Sequence, residues 1–140
     1  MYLIDTDVVS EARKEEKANP GVRQFFRDAD RDNVPLYLSV VTLGEMRQGV
    51  EIIRHRGDES QARLLERWLE RVIDRFEEAI LPFDREAAEV WGRLRVPNRE
   101  NPLDKQIAAT ALINDLTVVT RNTPHYAPTG VRVFNPFTGS

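Results

Sequence analysis

The stretch Leu3-Ile4-Asp5-Thr6-Asp7-Val8-Val9-Ser10 decides the fold. Tyr2-Leu3-Ile4 is a short apolar run of the kind a buried strand shows, and it stops on a carboxylate. From Val8 to Lys14 the pattern suits a short helix, with Asp7 placed to cap it. The same alternation continues along the chain. Asn19-Pro20-Gly21 interrupts, and Val22, Phe25, Phe26 and Ala29 then recur at helical spacing. Leu36-Tyr37-Leu38 reads as a second buried strand ending on Ser39, and a helix fits from Val41 to about Arg56. Leu64, Leu65, Trp68, Leu69, Val72, Ile73 and Phe76 form a stripe of period about 3.6, whose expected role is buried core. Ile80-Leu81-Pro82-Phe83 is a brief third strand, and Asp84 caps a helix carrying Ala87, Ala88, Trp91 and Leu94. A polar loop from Val96 to Pro102 leads into a helix over Leu103–Asn114. Thr117-Val118-Val119-Thr120 and Val131-Arg132-Val133-Phe134 complete the strands. Strands separated by helices predict an α/β fold with a mostly parallel sheet, whose sites lie outside the carboxyl ends of the strands.

The 140 residues match the size of one ordinary domain, expected to span residues 1–140. With 41% hydrophobic and 31% charged residues, such a chain can bury a core and remain soluble. The absence of cysteine excludes disulfides, thiolate metal sites and a cysteine nucleophile. The two histidines, His55 and His125, are far apart and lack ligand spacing, so a histidine-rich zinc site is not expected. Metal ligands would therefore be oxygens, which points to magnesium or manganese. No apolar run approaches the roughly 20 residues that span a bilayer. The start lacks the basic region and apolar stretch of a signal peptide, so a cytoplasmic address and no membrane partner are expected. The formal charge of −3 does not advertise a nucleic-acid binder, which is usually basic.

Chemistry-bearing residues gather where the elements change. Asp5 ends the first strand; Glu45 lies within a helix, beside Gly44 and one turn before Gly49. Each helical glycine costs about 1 kcal/mol relative to alanine, a cost understandable where a backbone approaches something closely. Asp104 stands at the mouth of the apolar, small-residue run Ile107-Ala108-Ala109-Thr110-Ala111-Leu112, and Thr120-Arg121-Asn122 leaves the strand before it with a hydroxyl and an amide. Each has a bland reading: a cap, a solvated helical glutamate, a dipole partner, a strand-to-turn transition.

Their order is more specific. It runs Leu3-Ile4-Asp5-Thr6-Asp7-Val8-Val9-Ser10, Ser39-Val40-Val41-Thr42-Leu43-Gly44-Glu45-Met46-Arg47-Gln48-Gly49, Pro102-Leu103-Asp104-Lys105-Gln106-Ile107-Ala108-Ala109-Thr110-Ala111 and Val118-Val119-Thr120-Arg121-Asn122. In these four motifs the sequence resembles the PIN-domain family, specifically its VapC/FitB-like toxin branch, almost end to end. The resemblance implies a three-layer α/β sandwich around a central parallel sheet. It also implies a magnesium- or manganese-dependent endoribonuclease, the toxin of a bacterial toxin–antitoxin pair. By motif, Asp5, Glu45 and Asp104 match the three acidic metal-site residues. Asn122 stands where the fourth acid is expected, with His125 the alternative occupant, and Thr120 matches a hydroxyl beside the site. Asp7 either assists by hydrogen bonding or caps the helix. The implied partners are an RNA substrate, a cognate antitoxin, a second copy in a homodimer, and DNA only through the antitoxin.

The chemistry agrees. Phosphodiester hydrolysis needs an activated water and a counter-charge for the transition state, and a hard divalent cation held by carboxylates supplies both. Gathered carboxylates repel and raise one another's pKa until a cation neutralises them. Arg93, Arg95, Arg99 and Lys105, around the loop before Asp104, are candidates for a basic rim that holds phosphates, although a solvated charge run reads the same way. Two other readings compete. Asp5-Thr6-Asp7 has the aspartate-x-aspartate form of haloacid-dehalogenase-type phosphatases, but their later lysine and Gly-Asp-x-x-x-Asp motif are not visible. A catalytically silent binding module, acting with a DNA-binding antitoxin, would explain Asn122 as the mark of a lapsed site; the intact trio of acids argues against it.

Overall fold

Five short strands lie side by side, all parallel, in a computed structural model that describes residues 1–139. They are β1 (Tyr2–Ile4), β2 (Leu36–Ser39), β3 (Ile80–Leu81), β4 (Thr117–Val119) and β5 (Val133–Phe134), in the order β3-β2-β1-β4-β5. The chain leaves β1 for β2 and β3 on one side, then returns to lay β4 against the other side of β1. The gap between β1 and β4 is therefore the topological switch point, where open α/β sheets build their sites.

Side-chain alternation divides each strand between two cores. Leu3 pairs in register with Tyr37 and Val118, and Ile4 with Val119. Ile4, Leu38 and Val119 face one cluster, packed on α1 (Thr6–Ala12), α2 (Pro20–Arg31), α3 (Val40–His55) and α4 (Glu59–Phe76) through Val8, Phe25, Val50 and Leu69. Leu3 and Val118 face the other, packed on α6 (Pro102–Ile113) and α7 (Thr123–Tyr126) through Ile107, Ala108, Ala111 and Tyr126. Leu94 of α5 (Arg85–Leu94) packs against the same side. Helices thus cover both faces and the sandwich has three layers. Each fully buried leucine, isoleucine or valine contributes on the order of 1.5–3 kcal/mol.

Several expectations change in detail. The first helix starts at Thr6, so its cap is Asp5, whose carboxylate accepts the Thr6 N–H at 2.8 Å, and Asp7 sits inside the first turn. The stripe on α4 is core through Leu69, Val72 and Phe76, whereas Leu64 falls off the buried face and is 59% exposed. The expected strand over Val131–Phe134 pairs only at Val133 and Phe134. A side chain at Gly44 or Gly49 would meet nothing within 4 Å, so neither glycine serves a close approach inside this chain. Gly21 does: a Cβ there would lie 2.1 Å from the Pro136 carbonyl oxygen, because the C-terminal segment crosses the start of α2. Asn19 fastens that crossing, accepting the Gly21 N–H at 2.9 Å and the Thr138 N–H at 3.0 Å.

Candidate active site

Asp5, Glu45, Asp104 and Thr120 come to the carboxyl edge of the sheet from four different elements. Asp5 follows β1 and is 3% exposed; its N–H donates to the Val119 carbonyl at 2.9 Å, extending the pairing of β1 with β4 by one residue. Its carboxylate is held from three directions. Thr6 N–H donates to Oδ1, while the Thr120 hydroxyl at 2.8 Å and the Tyr126 hydroxyl at 3.0 Å both donate to Oδ2. Thr120 and Tyr126 are themselves fully buried, so Asp5 has little freedom to turn.

Glu45 lies in the second turn of α3, and the Thr6 hydroxyl donates to its Oε1 at 2.7 Å. Asp104 occupies the first turn of α6, in the favourable half of the helix dipole. Its Oδ2 is 2.7 Å from Nδ1 of His125. Asp7 accepts the Arg121 N–H at 2.9 Å through Oδ2, and its Oδ1 is buried without a hydrogen-bond partner.

Burial is the first cause of the raised carboxyl pKa values, and mutual repulsion adds to it. Burial pushes Asp5 up; the hydroxyl of Thr120 and the N–H of Thr6 pull it back, and the Asp104 charge raises it again. Asp7 is pushed up to about 6 by burial and then by Asp5, against the opposing Arg121 N–H. Glu45 is raised by burial, with the charges of Asp5 and Asp104 adding less. Burial and the same carboxylates push the Tyr126 hydroxyl upward, so it remains a proton donor to Asp5.

Among the described residues, no three Asp, Glu or His side chains converge to metal-ligand distance. The acids are instead turned toward Thr6, Thr120, Tyr126 and His125. The donor set nevertheless fits a divalent cation in chemistry. It consists of carboxylate oxygens close enough that the Asp104 charge raises the pKa of both Asp5 and Glu45, with one buried oxygen of Asp7 left unsatisfied.

Two expected positions need correction. Asn122 is exposed, and its side chain makes no hydrogen bond to any of the acids; its contribution is a backbone N–H donated to the Thr120 hydroxyl at 3.0 Å. Of the two expected occupants, His125 is the one whose side chain meets an acid. Lys105 is not a rim cation: it is 1% exposed, and its ammonium donates to the Asn98 carbonyl, tying down the loop before α6. Of the other rim candidates, Arg93 and Arg99 are exposed, while Arg95 is half-buried over the Trp91 ring at 5.0 Å. The sequence reading also missed Thr6 and Tyr126. Thr6 is a single hydroxyl between two aspartates, which carries no signal of its own, and Tyr126 sits on a four-residue helix too short to show a period.

A three-layer parallel sandwich with acids gathered at its switch point defines a class, and this chain belongs to the PIN-domain family, which it matches over residues 2–128. It is 33% identical to Toxin FitB of Neisseria gonorrhoeae over 142 aligned residues, covering 98% of this chain and 99% of that protein. It is 30% identical to VapC ribonuclease Y4jK of Sinorhizobium fredii, over 98% of each. Among solved structures, FitAcB from Neisseria gonorrhoeae superposes with a TM-score of 0.82 at 32% identity, covering 97% of this chain and 98% of that one. FitAB bound to the IR36 DNA fragment gives a TM-score of 0.82 at 30% identity, covering 100% and 98%.

Proposed function

We propose that the protein is a divalent-metal-dependent endoribonuclease, the toxin of a toxin–antitoxin pair. The supporting observation is the approach of Asp5, Glu45 and Asp104, from the end of β1, α3 and α6, to one sheet edge, where the charge of Asp104 raises both Asp5 and Glu45 and that of Asp5 raises Glu45. Kinship to a protein named a VapC ribonuclease supports RNA as the substrate, and kinship to FitB supports the toxin role. Likeness to FitAB, solved bound to a DNA fragment, supports a partner protein and an assembly on DNA; that this chain reaches DNA only through the partner is part of the proposal. A homodimer and a cytoplasmic location belong to the same proposal; no helix among the described residues is long and apolar enough to cross a membrane. So does the reading of residues 1–140 as one domain.

Asp5, Glu45 and Asp104 would hold the magnesium or manganese ion. When bound, it supplies Lewis acidity that lowers the pKa of a water and offsets phosphate charge. The chain's own work is positional. Thr120 and Tyr126 fix Oδ2 of Asp5, and Thr6 links Asp5 to Glu45 by donating its N–H to one and its hydroxyl to the other. Burial keeps bulk water from these carboxylates and so strengthens every interaction they make. Arg93 and Arg99, exposed on α5 and on the loop before α6, are the remaining candidates to hold phosphates. Incubating RNA with purified wild-type and Asp5→Asn protein in the presence of magnesium or manganese tests the proposal. Cleavage by wild type alone is expected; equal cleavage by both, or by neither, contradicts it.

A further inference from the structure

We infer that the loop of residues 96–101 is a rigid platform that holds RNA phosphate through Arg99, and that the buried Lys105 is the positioning residue that sets its shape. The inference rests on the ribonuclease reading above and concerns how that site holds its substrate. Lys105 is 1% exposed, yet its ammonium donates to a neutral backbone carbonyl, that of Asn98, rather than to a carboxylate. Taking an ammonium out of water is costly unless a counter-charge accompanies it. A methionine of similar length fills such a space without that cost. What accounts for the charge is the loop it grips.

Lys105 does not grip it alone. Arg95 Nη2 donates to the Arg99 carbonyl at 2.9 Å, the Lys105 N–H to the Asn101 carbonyl at 3.1 Å, and Trp91 Nε1 to the Pro102 carbonyl at 3.0 Å. The carbonyls of residues 98, 99, 101 and 102 are thus all drawn toward α5 and α6. Arg95 is itself braced, with its guanidinium 5.0 Å from the Trp91 ring centroid. A polar surface loop usually leaves its carbonyls to water and moves freely. This one spends them inward, and Asn98, Arg99 and Glu100 are exposed on its outer side.

The loop runs directly into the first turn of α6, which carries Asp104. An RNA strand with its scissile phosphate at the acids must pass its neighbouring phosphates over the rim of an anionic edge. Charge density cannot hold them here, because Glu100 offsets Arg99 and residues 96–101 carry no net charge. The hold depends on where the backbone places Arg99. An arginine presented by a fixed backbone gives up less freedom on meeting phosphate than one on a mobile loop.

The test uses full-length Asp5→Asn protein in chelator, so that RNA is bound and not cut. Binding of a fluorescein-labelled RNA of random sequence is followed by anisotropy over a range of salt concentrations. Arg99→Ala should weaken binding about fivefold and lower the salt slope by about one. Lys105→Met should weaken it by a similar factor, and adding Arg99→Ala to it should cost less than about twofold more, the mark of two residues acting as one unit. Mere loss of a buried charge would instead multiply with the loss at Arg99. Arg95→Met frees the Arg99 carbonyl from a separate donor, should couple to Arg99→Ala in the same way, and decides the matter if Lys105→Met does not fold. With Asp5 and the metal restored, Lys105→Met should raise KM for RNA about fivefold and leave kcat within about twofold, as lost uniform binding does. An Arg99→Ala protein that binds RNA like its parent overturns the inference, as do losses that multiply. A fall in kcat at unchanged KM also overturns it, because Lys105 would then act through Asp104. In each of these cases, RNA cleavage by wild type leaves the ribonuclease reading standing. Coupled binding in a protein that cleaves no RNA supports the inference and overturns the ribonuclease reading. Wild type that neither binds nor cleaves RNA overturns both.

Discussion

Tyr126→Phe removes one oxygen from the interior and nothing else. The ring is fully buried and keeps its packing against Leu3 and Val118, so no cavity larger than a hydroxyl is made. What is lost is the hydrogen bond at 3.0 Å to Oδ2 of Asp5, leaving that oxygen with Thr120 alone. A hydrogen bond to a charged group contributes about 1.5–3 kcal/mol net, and sharing the acceptor with Thr120 puts this one near the lower end, about 1.5–2 kcal/mol. At about 3–5 °C per kcal/mol for a chain of this size, the melting temperature should fall by roughly 5–10 °C. The effect depends on the Asp5 charge, because a bond to a neutral amide contributes about 0.5–1.5 kcal/mol. Tyr126→Phe should therefore cost less in an Asp5→Asn background, with a coupling of about 1 kcal/mol. Denaturant unfolding of the four proteins near pH 8 in the presence of a chelator measures it. Equal cost in both backgrounds, or no cost, would refute the reasoning that Tyr126 acts through the Asp5 carboxylate.

Asp7→Asn should stabilise the metal-free protein. Its carboxyl pKa is raised from 3.8 to about 6, so the folded state holds a proton that the unfolded chain releases. Stability therefore falls as pH rises from about 4 through about 6 and is level above, by at most about 3 kcal/mol at ~1.4 kcal/mol per pH unit. An amide that leaves one donor unsatisfied reduces the gain to about 1–2 kcal/mol at pH 7.5, vanishing near pH 4; a gain equal at both pH values would contradict the assignment. Gly21→Ala should destabilise by about 1–3 kcal/mol despite the better helix propensity of alanine, because the new Cβ meets the Pro136 carbonyl. A more stable variant in chemical denaturation would show that the C-terminal segment does not press on α2. Asn122→Ala should leave RNA cleavage within a few-fold of wild type while Asp104→Asn abolishes it, since only Asp104 faces the other acids; comparable losses in a cleavage assay would restore Asn122 to the site.

The sheet was legible in the sequence because each strand carries its apolar residues in one short run and the longer helices between them each show a helical period. Asp5, Glu45 and Asp104 were legible for a related reason: two of them mark an element boundary and the third interrupts an apolar helix beside a glycine. What escaped was one-residue detail and short structure. Asp5 rather than Asp7 caps α1 because the strand yields to the helix within a single residue. Lys105 read as a surface charge, yet the second turn-position of a buried helix turns it inward, where a backbone carbonyl holds its ammonium. His125 and Tyr126 lie on a single helical turn with no periodicity, so their approach to Asp104 and Asp5 is visible only in three dimensions.

The central claim is that carboxylates from three elements hold a divalent cation that hydrolyses RNA. Its most direct measurement is the cleavage of a defined RNA by chelator-treated wild-type protein, before and after manganese or magnesium is restored, with the chemistry of the new ends determined. The account expects no cleavage in chelator, recovery with metal, loss in Asp104→Asn, and ends bearing a phosphate and a free hydroxyl as water attack leaves them. Cleavage that persists in chelator and leaves a cyclic phosphate would contradict it, because the ribose hydroxyl and a metal-free acid–base pair would then be doing the chemistry.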